Sequence, residues 1–315
     1  MREAISEQQL DDLLAQRMPW RDLDLSGADL RGRVLEHVRM ERVNLSGARL
    51  EGARLNHCTW LSCDLSGAIF SGCETLEWSL TDCTLDGTQL DNAHLRYGRW
   101  LRCTGIDVRL AGACMEGLEV INSQFNHLDL SASHMKRCQW VACAFLNVEA
   151  GSCDWAQVRM TTCRLTSARF THSSLLQCAF DESRFKVADF SSVHAQTSSF
   201  YRCEGEGLCF NRAQLAKAVF ALACFPAADY AGAQLEQANF NDAQLPACVF
   251  TGASLRYASL CRVQAARTSF AAARLDGADF NGAHLEDCGW HLANREAIRP
   301  LDSERLAAQH WTPML

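Results

Sequence analysis

LSGAD LRGRV LEHVR MERVN LSGAR LEGAR LNHCT WLSCD LSGAI F, residues 25 to 70, decides the fold once it is written in blocks of five. Each block opens on a large apolar residue: Leu25, Leu30, Leu35, Met40, Leu45, Leu50, Leu55, Trp60, Leu65 and Phe70. The same phase holds at Phe270, Leu275, Phe280, Leu285 and Trp290, so 54 such centres follow one another from 25 to 290 without an insertion. Two residues before each centre stands a small residue, as in Ala28, Ala48, Ala53, Cys58, Cys63 and Ala68, and again in Ala213, Ala218, Ala223, Ala228, Ala233, Ala238 and Ala243. Thirteen of the 17 cysteines occupy this slot, and 14 of the 19 glycines fall two residues after a centre. The other positions are mostly polar.

A period of five matches neither the 2.0 of a strand nor the 3.6 of a helix, so no flat sheet or amphipathic helix buries both periodic positions together. The chain must turn once per repeat. If each pentapeptide is a short side ending in a turn, four make a coil of about 20 residues whose centre and small residue point inward and whose other three point out. Stacked coils then hydrogen-bond as parallel strands at ~4.8 Å. Each coil buries its apolar face only because its neighbours are present. Glycine after the centre suits a turn with positive φ.

Blocks such as Ala28-Asp29-Leu30-Arg31-Gly32, Ala48-Arg49-Leu50-Glu51-Gly52 and Ala278-Asp279-Phe280-Asn281-Gly282 resemble the A(D/N)LxG pattern of the pentapeptide-repeat family. The resemblance covers about residues 21 to 290. It implies an all-β fold, a right-handed quadrilateral parallel β-helix, of about 13.5 coils and roughly 65 Å at the strand spacing.

Departures from the register carry information. Gly105, Ala150, Ala195, Gly205 and Ala265 are undersized centres, whereas Trp78, Leu118, Leu128 and Leu208 are oversized for the small slot; their proximity in places predicts local conservation of interior volume. A bulge around Thr75-Leu76-Glu77-Trp78, with Leu76 replacing Thr75 inside, is expected, as is an irregular first coil, because Arg33 in a small slot cannot be buried unpaired. Outside the register, residues 3 to 16 place Ile5, Leu10, Leu13 and Leu14 at helical spacing, and residues 302 to 310 follow Pro300 with a candidate N-cap and Leu306. An open coil exposes strand edges that solenoids cover. The expected organisation is an N-terminal capping helix in 1–20, the repeats in 21–290 and a C-terminal helical cap or dimerisation tail in 291–315, with Leu306 and Trp311 as candidate contacts; some family members dimerise there, so a homodimer through this tail is one reading.

The chain has 315 residues, 48% of them hydrophobic, and a net charge of −7. That content suffices for a core, and the mild acidity argues against an affinity built on neutralising phosphates or anionic lipid. The start lacks the apolar core of a signal peptide, and no stretch has the ~18 uninterrupted apolar residues of a membrane span; the reading is a cytoplasmic chain with no direct nucleic-acid or membrane partner. Seventeen cysteines would suggest metal or redox chemistry, but there is no CxxC pair. In register they become small inward residues. Cys114, Cys209, Cys224 and Cys261 lie off the slot and are the candidates for reactivity. Eight histidines fall in the repeats, all outward; His94, His134 and His194 share one column but sit two and three coils apart, roughly 10 and 14 Å at the strand spacing. No metal, cofactor or catalytic residue is expected, and no HExxH, GxSxG, Walker or dinucleotide fingerprint is present.

Function is then sought on the outside. Stepping by 20 from Glu41 gives Leu61, Thr81, Leu101, Ile121, Val141, Thr161, Asp181, Tyr201 and Ala221, an apolar stripe on a face expected to be solvated. Exposed apolar surface often marks a partner site, although β-propensity alone also favours such residues on a sheet. Leu61, Leu101, Ile121, Val141 and Tyr201 are the candidate binding residues. The family resemblance offers two roles. One is DNA mimicry, in which an acidic solenoid occupies the DNA site of gyrase and protects it from quinolones. Residues 21 to 290 hold 25 cations against 30 anions, whereas full imitation of ~65 Å of B-DNA needs some 38 negative charges at about one per 1.7 Å. The other is a non-enzymatic scaffold or adaptor for a protein partner, as among the accessory pentapeptide proteins of bacterial type VI secretion. The mixed charge and the apolar stripe favour the scaffold.

Overall fold

The computed structural model describes residues 7–16, 18–302 and 304. It divides into two compact units, residues 1–173 and 174–315, and both are built from parallel β-structure in which position i pairs with i + 20. The pentapeptide register thus closes a coil every four blocks.

In the first unit one ladder begins at Trp20–Arg21 and runs through Arg39–Glu41, Thr59–Leu61, Ser79–Thr81, Arg99–Leu101, Glu119–Ile121 and Gln139–Val141 to Arg159–Thr161. A second starts at Val34–Glu36 and passes through Arg54–Asn56, Glu74–Leu76, His94–Arg96, Cys114–Glu116 and His134–Lys136 to Asp154–Ala156. A third contains Thr104–Ile106, Gln124–Asn126, Ala144–Leu146 and Arg164–Thr166. The fourth side is a row of single bridges, from Asp29↔Arg49 to Glu149↔Arg169. In the second unit Arg184–Lys186 pairs with Glu204–Glu206, and most other sides are single bridges from Ser174↔His194 to Ser269↔Gly289.

The corners explain how this sequence tolerates the geometry. Every fifth residue from Asp22 to Leu292 has φ between 50° and 72°; 14 of these positions are glycine and 41 are not. Where the small residue's N–H donates to the preceding centre's carbonyl, as Ala48 to Leu45 at 2.9 Å and Ala213 to Phe210 at 3.0 Å, the corner is a type II turn, whose third residue requires positive φ. Other corners lack that bond, and a buried carbonyl without a partner is costly. A polar hydrogen from the next coil fills part of this need. Cys58 Sγ donates to Leu35 O at 3.1 Å and Cys163 Sγ to Trp140 O at 3.3 Å, while Ser173 Oγ donates to Ala150 O at 2.7 Å and Thr268 Oγ1 to Leu245 O at 2.6 Å. In each case the donor lies 23 residues after its acceptor. The slot cysteines are therefore small donors as well as small hydrophobes.

Centres and slots are buried almost without exception. In the second unit Phe180, Phe200, Phe220 and Phe240 form one stack, with successive ring centroids 4.7–5.1 Å apart. Facing it, Phe190, Phe210, Tyr230, Phe250, Phe270 and Trp290 form another. Rings of the two stacks meet edge to face, as Phe200 and Phe210 do at 5.4 Å and 86°. Undersized centres are filled by neighbours: a Cβ on Gly105 would lie 2.4 Å from Val108 Cγ2, and one on Gly205 3.0 Å from Leu208 Cδ1.

Two sequence expectations are corrected. Thr75 is buried, Leu76 is half-buried, and Glu74–Leu76 pairs in unbroken register with Arg54–Asn56 and His94–Arg96, so no bulge exchanges Leu76 for Thr75. Trp78 is accommodated instead by edge-to-face packing on Trp60 at 5.0 Å. Nor is the coil at Arg33 irregular: its N–H donates to Leu30 O at 3.2 Å, and its half-buried guanidinium meets Asp11 of the N-terminal helix at 2.8 Å.

That helix, Glu7–Gln16, buries Leu10, and Leu13 and Leu14 share a hollow with Trp20, Val34 and Val38. The helix thus lies against apolar residues of the first coil. At the C-terminal side the cover is built differently. Leu275 N–H donates to the Asn294 side chain at 2.6 Å, Gly277 N–H to Ala297 O at 2.7 Å, and Arg299 N–H to Ala278 O at 2.9 Å. A 3-10 turn, Arg295–Ala297, sets Arg295 over the Trp290 ring at 5.1 Å. Most of the helix expected over 302–310 lies outside the described residues.

Candidate docking face

Leu61, Leu101, Ile121 and Val141 fall on one ladder, in direct register as Leu61↔Thr81↔Leu101↔Ile121↔Val141↔Thr161. Neighbours one strand spacing apart cover each other's flanks, and all four are half-buried although they point outward. The stripe is framed by ion pairs. Arg99 meets Glu119 at 3.6 Å on one side, and Arg102 grips both oxygens of Asp82 at 2.6 and 2.8 Å on the other. The Arg102 guanidinium holds the Asp82 carboxyl below its ordinary range. Glu41 closes the stripe's N-terminal end, paired with Arg21 and Arg39 at 2.8 and 2.9 Å.

Tyr201 belongs to the second unit, in a different setting: its N–H donates to Asp181 Oδ1 at 3.2 Å and the Arg202 guanidinium lies 5.1 Å from its ring. Leu306 and Trp311 lie outside the described residues.

Arginine–carboxylate pairing one coil apart recurs on the surface, in Asp22–Arg42 at 2.7 Å, Glu149–Arg169 at 2.7 Å, Arg184–Glu204 at 3.0 Å and Asp242–Arg262 at 2.6 Å. Exposed pairs add little stability. Their consequence is positive charge set among part of the surface's carboxylates in both units.

Off-slot cysteines do not form one class. Cys114, Cys209 and Cys224 are half-buried, but Cys261 is fully buried beside Ser259, its N–H bonded to Asn241 Oδ1 at 3.0 Å. Among the slot thiols, burial pushes Cys58 and Cys73 up to about 12, which disfavours the reactive thiolate, whereas hydrogen bonding with Cys83 and Cys163 pulls Cys63 and Cys143 down. Repeat histidines are exposed; His57 contacts Glu77 and His127 contacts Asp107, both at 3.1 Å, and His37 stacks on His57 at 4.9 Å. Two features escaped a reading by residue type. Ile106 and Leu146, two coils apart, are exposed and line one hollow with Phe125 and Phe145. Cys114 stands directly between His94 and His134. Stepping by 20 through all residues, rather than through histidines alone, finds both.

The described geometry is a coil of four pentapeptides with an inward centre and slot at every side. A family model described as pentapeptide repeats matches in eight copies, over residues 24–59, 62–96, 228–264 and 248–287. The chain belongs to the pentapeptide-repeat family. This pentapeptide-repeat protein is similar to HetL, involved in heterocyst differentiation regulation in the cyanobacterium Nostoc sp. strain PCC 7120, at 19% identity over 94% of this chain and 97% of that one, with a TM-score of 0.22. It is also similar to QnrB1, a plasmid-mediated fluoroquinolone resistance protein, at 15% identity over 73% and 98% of the two chains and a TM-score of 0.31. A third similar structure is Rfr23 from the cyanobacterium Cyanothece 51142, at 14% identity over 48% and 91% and a TM-score of 0.19. No curated relative matches the pentapeptide-repeat chain in sequence. Among the described residues no helix is long and apolar enough to cross a membrane.

Proposed function

We propose that this pentapeptide-repeat protein is a non-enzymatic docking module that offers the ladder Leu61–Thr81–Leu101–Ile121–Val141 to a protein partner. The observation that carries the reading is the unbroken register of outward Leu101, Ile121 and Val141 within a frame of closed ion pairs. An apolar column of half-buried side chains releases water on contact with another apolar surface, and a fixed charge frame favours one orientation of the partner over others. Short corners, without long loops, support a binding surface rather than a catalytic centre.

The pairing of arginines with carboxylates weighs against gyrase inhibition by DNA mimicry, which needs rows of unmatched negative charge. The test is a pull-down with the full chain and with Leu101→Asp plus Val141→Asp. The double variant is expected to keep its far-UV spectrum and to lose a partner that the wild type retains; a folded double variant that retains every partner refutes the reading. Purified protein is expected to leave gyrase supercoiling unchanged, and inhibition would favour the mimic instead.

A further inference from the structure

On the second ladder of the first unit, five outward residues follow one another in parallel register: Glu74, His94, Cys114, His134 and Asp154. Backbone hydrogen bonds fix this order, with Cys114 N–H on Ala93 O at 2.8 Å and His134 N–H on Ala113 O at 2.9 Å. His94, Cys114, His134 and Asp154 line one surface hollow, floored by the buried Met115 and Met135. Cys114 is half-buried, and both histidines are exposed.

Two histidines separated by two coils, ~10 Å at the strand spacing, cannot share an ion by themselves. The thiol between them changes this. An ion held by Cys114 Sγ at about 2.3 Å sits over the middle coil, and each imidazole then has only one strand spacing to cross to bring a nitrogen to about 2.0–2.1 Å. We propose that His94, Cys114 and His134 bind one divalent ion of the zinc class, with the fourth tetrahedral position left to solvent. Among the described residues no three such side chains already converge on a point, so the site closes on the ion as the exposed imidazoles turn toward Cys114. Rotation between staggered side-chain wells supplies that movement without altering the backbone.

The outer members of the column fit the same scheme. Glu74 follows His94 on the side away from Cys114, and Asp154 does the same for His134. A carboxylate beyond each ligating imidazole is the arrangement that orients metal-bound histidine through its second ring nitrogen. Glu74 also faces Arg54 at 3.6 Å, and Glu116, in the adjacent column, is engaged by Arg137. Arg96 and Lys136 bring positive charge to the rim of the hollow, which the Cys114 thiolate and the Asp154 carboxylate offset. Binding replaces the S–H bond by a sulfur–metal bond and releases the thiol proton to solvent.

The test uses the full chain under reducing conditions, titrated with Co²⁺ and then with Zn²⁺. The expected result is one Co²⁺ per chain with a thiolate-to-cobalt charge-transfer band, displaced by Zn²⁺. Loss of an orienting partner alone costs about 10–100-fold in metal affinity, so loss of a ligand is expected to cost at least about tenfold. Cys114→Ser should abolish the charge-transfer band, and His94→Ala and His134→Ala should each weaken binding by that factor. Cys209→Ser, at another half-buried thiol, should change nothing. Far-UV spectra of these surface variants report that the coil is intact. Absence of the band in the wild type, or its survival in folded Cys114→Ser, overturns the proposal.

Discussion

Val187 is a β-branched residue held at φ 54° and is 61% exposed, which makes it the place to test what the corners cost. Left-handed backbone disfavours an L-residue by about 1–2 kcal/mol, and β-branched side chains are the worst fitted to it. Its N–H donates to Glu206 O at 2.9 Å, a bond any non-proline replacement keeps. Little burial is at stake at that exposure, and a Cβ added at the neighbouring Gly207 would lie 3.8 Å from Val187 Cγ2. Val187→Gly removes the strain but adds about 0.5–1 kcal/mol of unfolded-state entropy, for an expected net stabilisation of about 0.5–1 kcal/mol. Val187→Asn tolerates the same backbone without the entropy term and should gain at least as much. Val187→Ala keeps the left-handed penalty and should stay near wild type. Urea titrations followed by far-UV circular dichroism give the ranking; midpoints and slopes are both compared, because repeat arrays are not reliably two-state. If Gly and Asn both lower the midpoint, or Ala raises it as much as Gly does, the strain argument is wrong.

Tyr230 interrupts a column of phenylalanines, fully buried, with no partner for its hydroxyl; burial first, and then the nearby Cys248 and Cys203, drive its ionisation well above the usual range. Tyr230→Phe keeps the ring between Phe210 and Phe250 and should stabilise the second unit by about 1–3 kcal/mol, the cost of an unsatisfied buried polar group; a lower denaturation midpoint would count against this. Burial also raises Cys58, Cys73 and Cys248 to about 12 and Cys103 and Cys138 to about 11, against 9.0 for a free thiol. A folded pKa above the unfolded one gives stability that is complete below pH 9.0 and is lost as pH rises toward 12. Denaturation midpoints should therefore fall through that alkaline window, less steeply in Cys73→Ala, and a flat profile would show that these thiols are not held neutral by the fold.

How far the sequence could be read follows from what each feature depends on. Leu25 to Trp290 at every fifth position belongs to no competing periodicity, so the coil and its inward residues were legible directly, and the glycines at positions such as Gly27 and Gly277 marked corners that prove to have positive φ throughout. The same corners at Val187 or Tyr257 carry no such mark, because the backbone is imposed there by ladder bonds on both sides rather than by local preference. At Thr75, similarly, register held by neighbouring strands outweighs the preference for a larger residue inside. Arg33 looked like a defect until a helix more than one coil away in sequence supplied Asp11. The register of the apolar column is legible by stepping 20 residues, but its charge frame, and the thiol between two histidines, need adjacent columns to be read together.

The docking claim is tested most directly by placing a photo-crosslinking amino acid at Ile121, in the middle of the stripe, and at Gln234, an exposed position of the second unit, and irradiating the full-length protein with its captured partner. A covalent adduct from Ile121 and none from Gln234 is the predicted result. Adducts from Gln234 with none from Ile121, in a protein whose far-UV spectrum is unchanged, would contradict it.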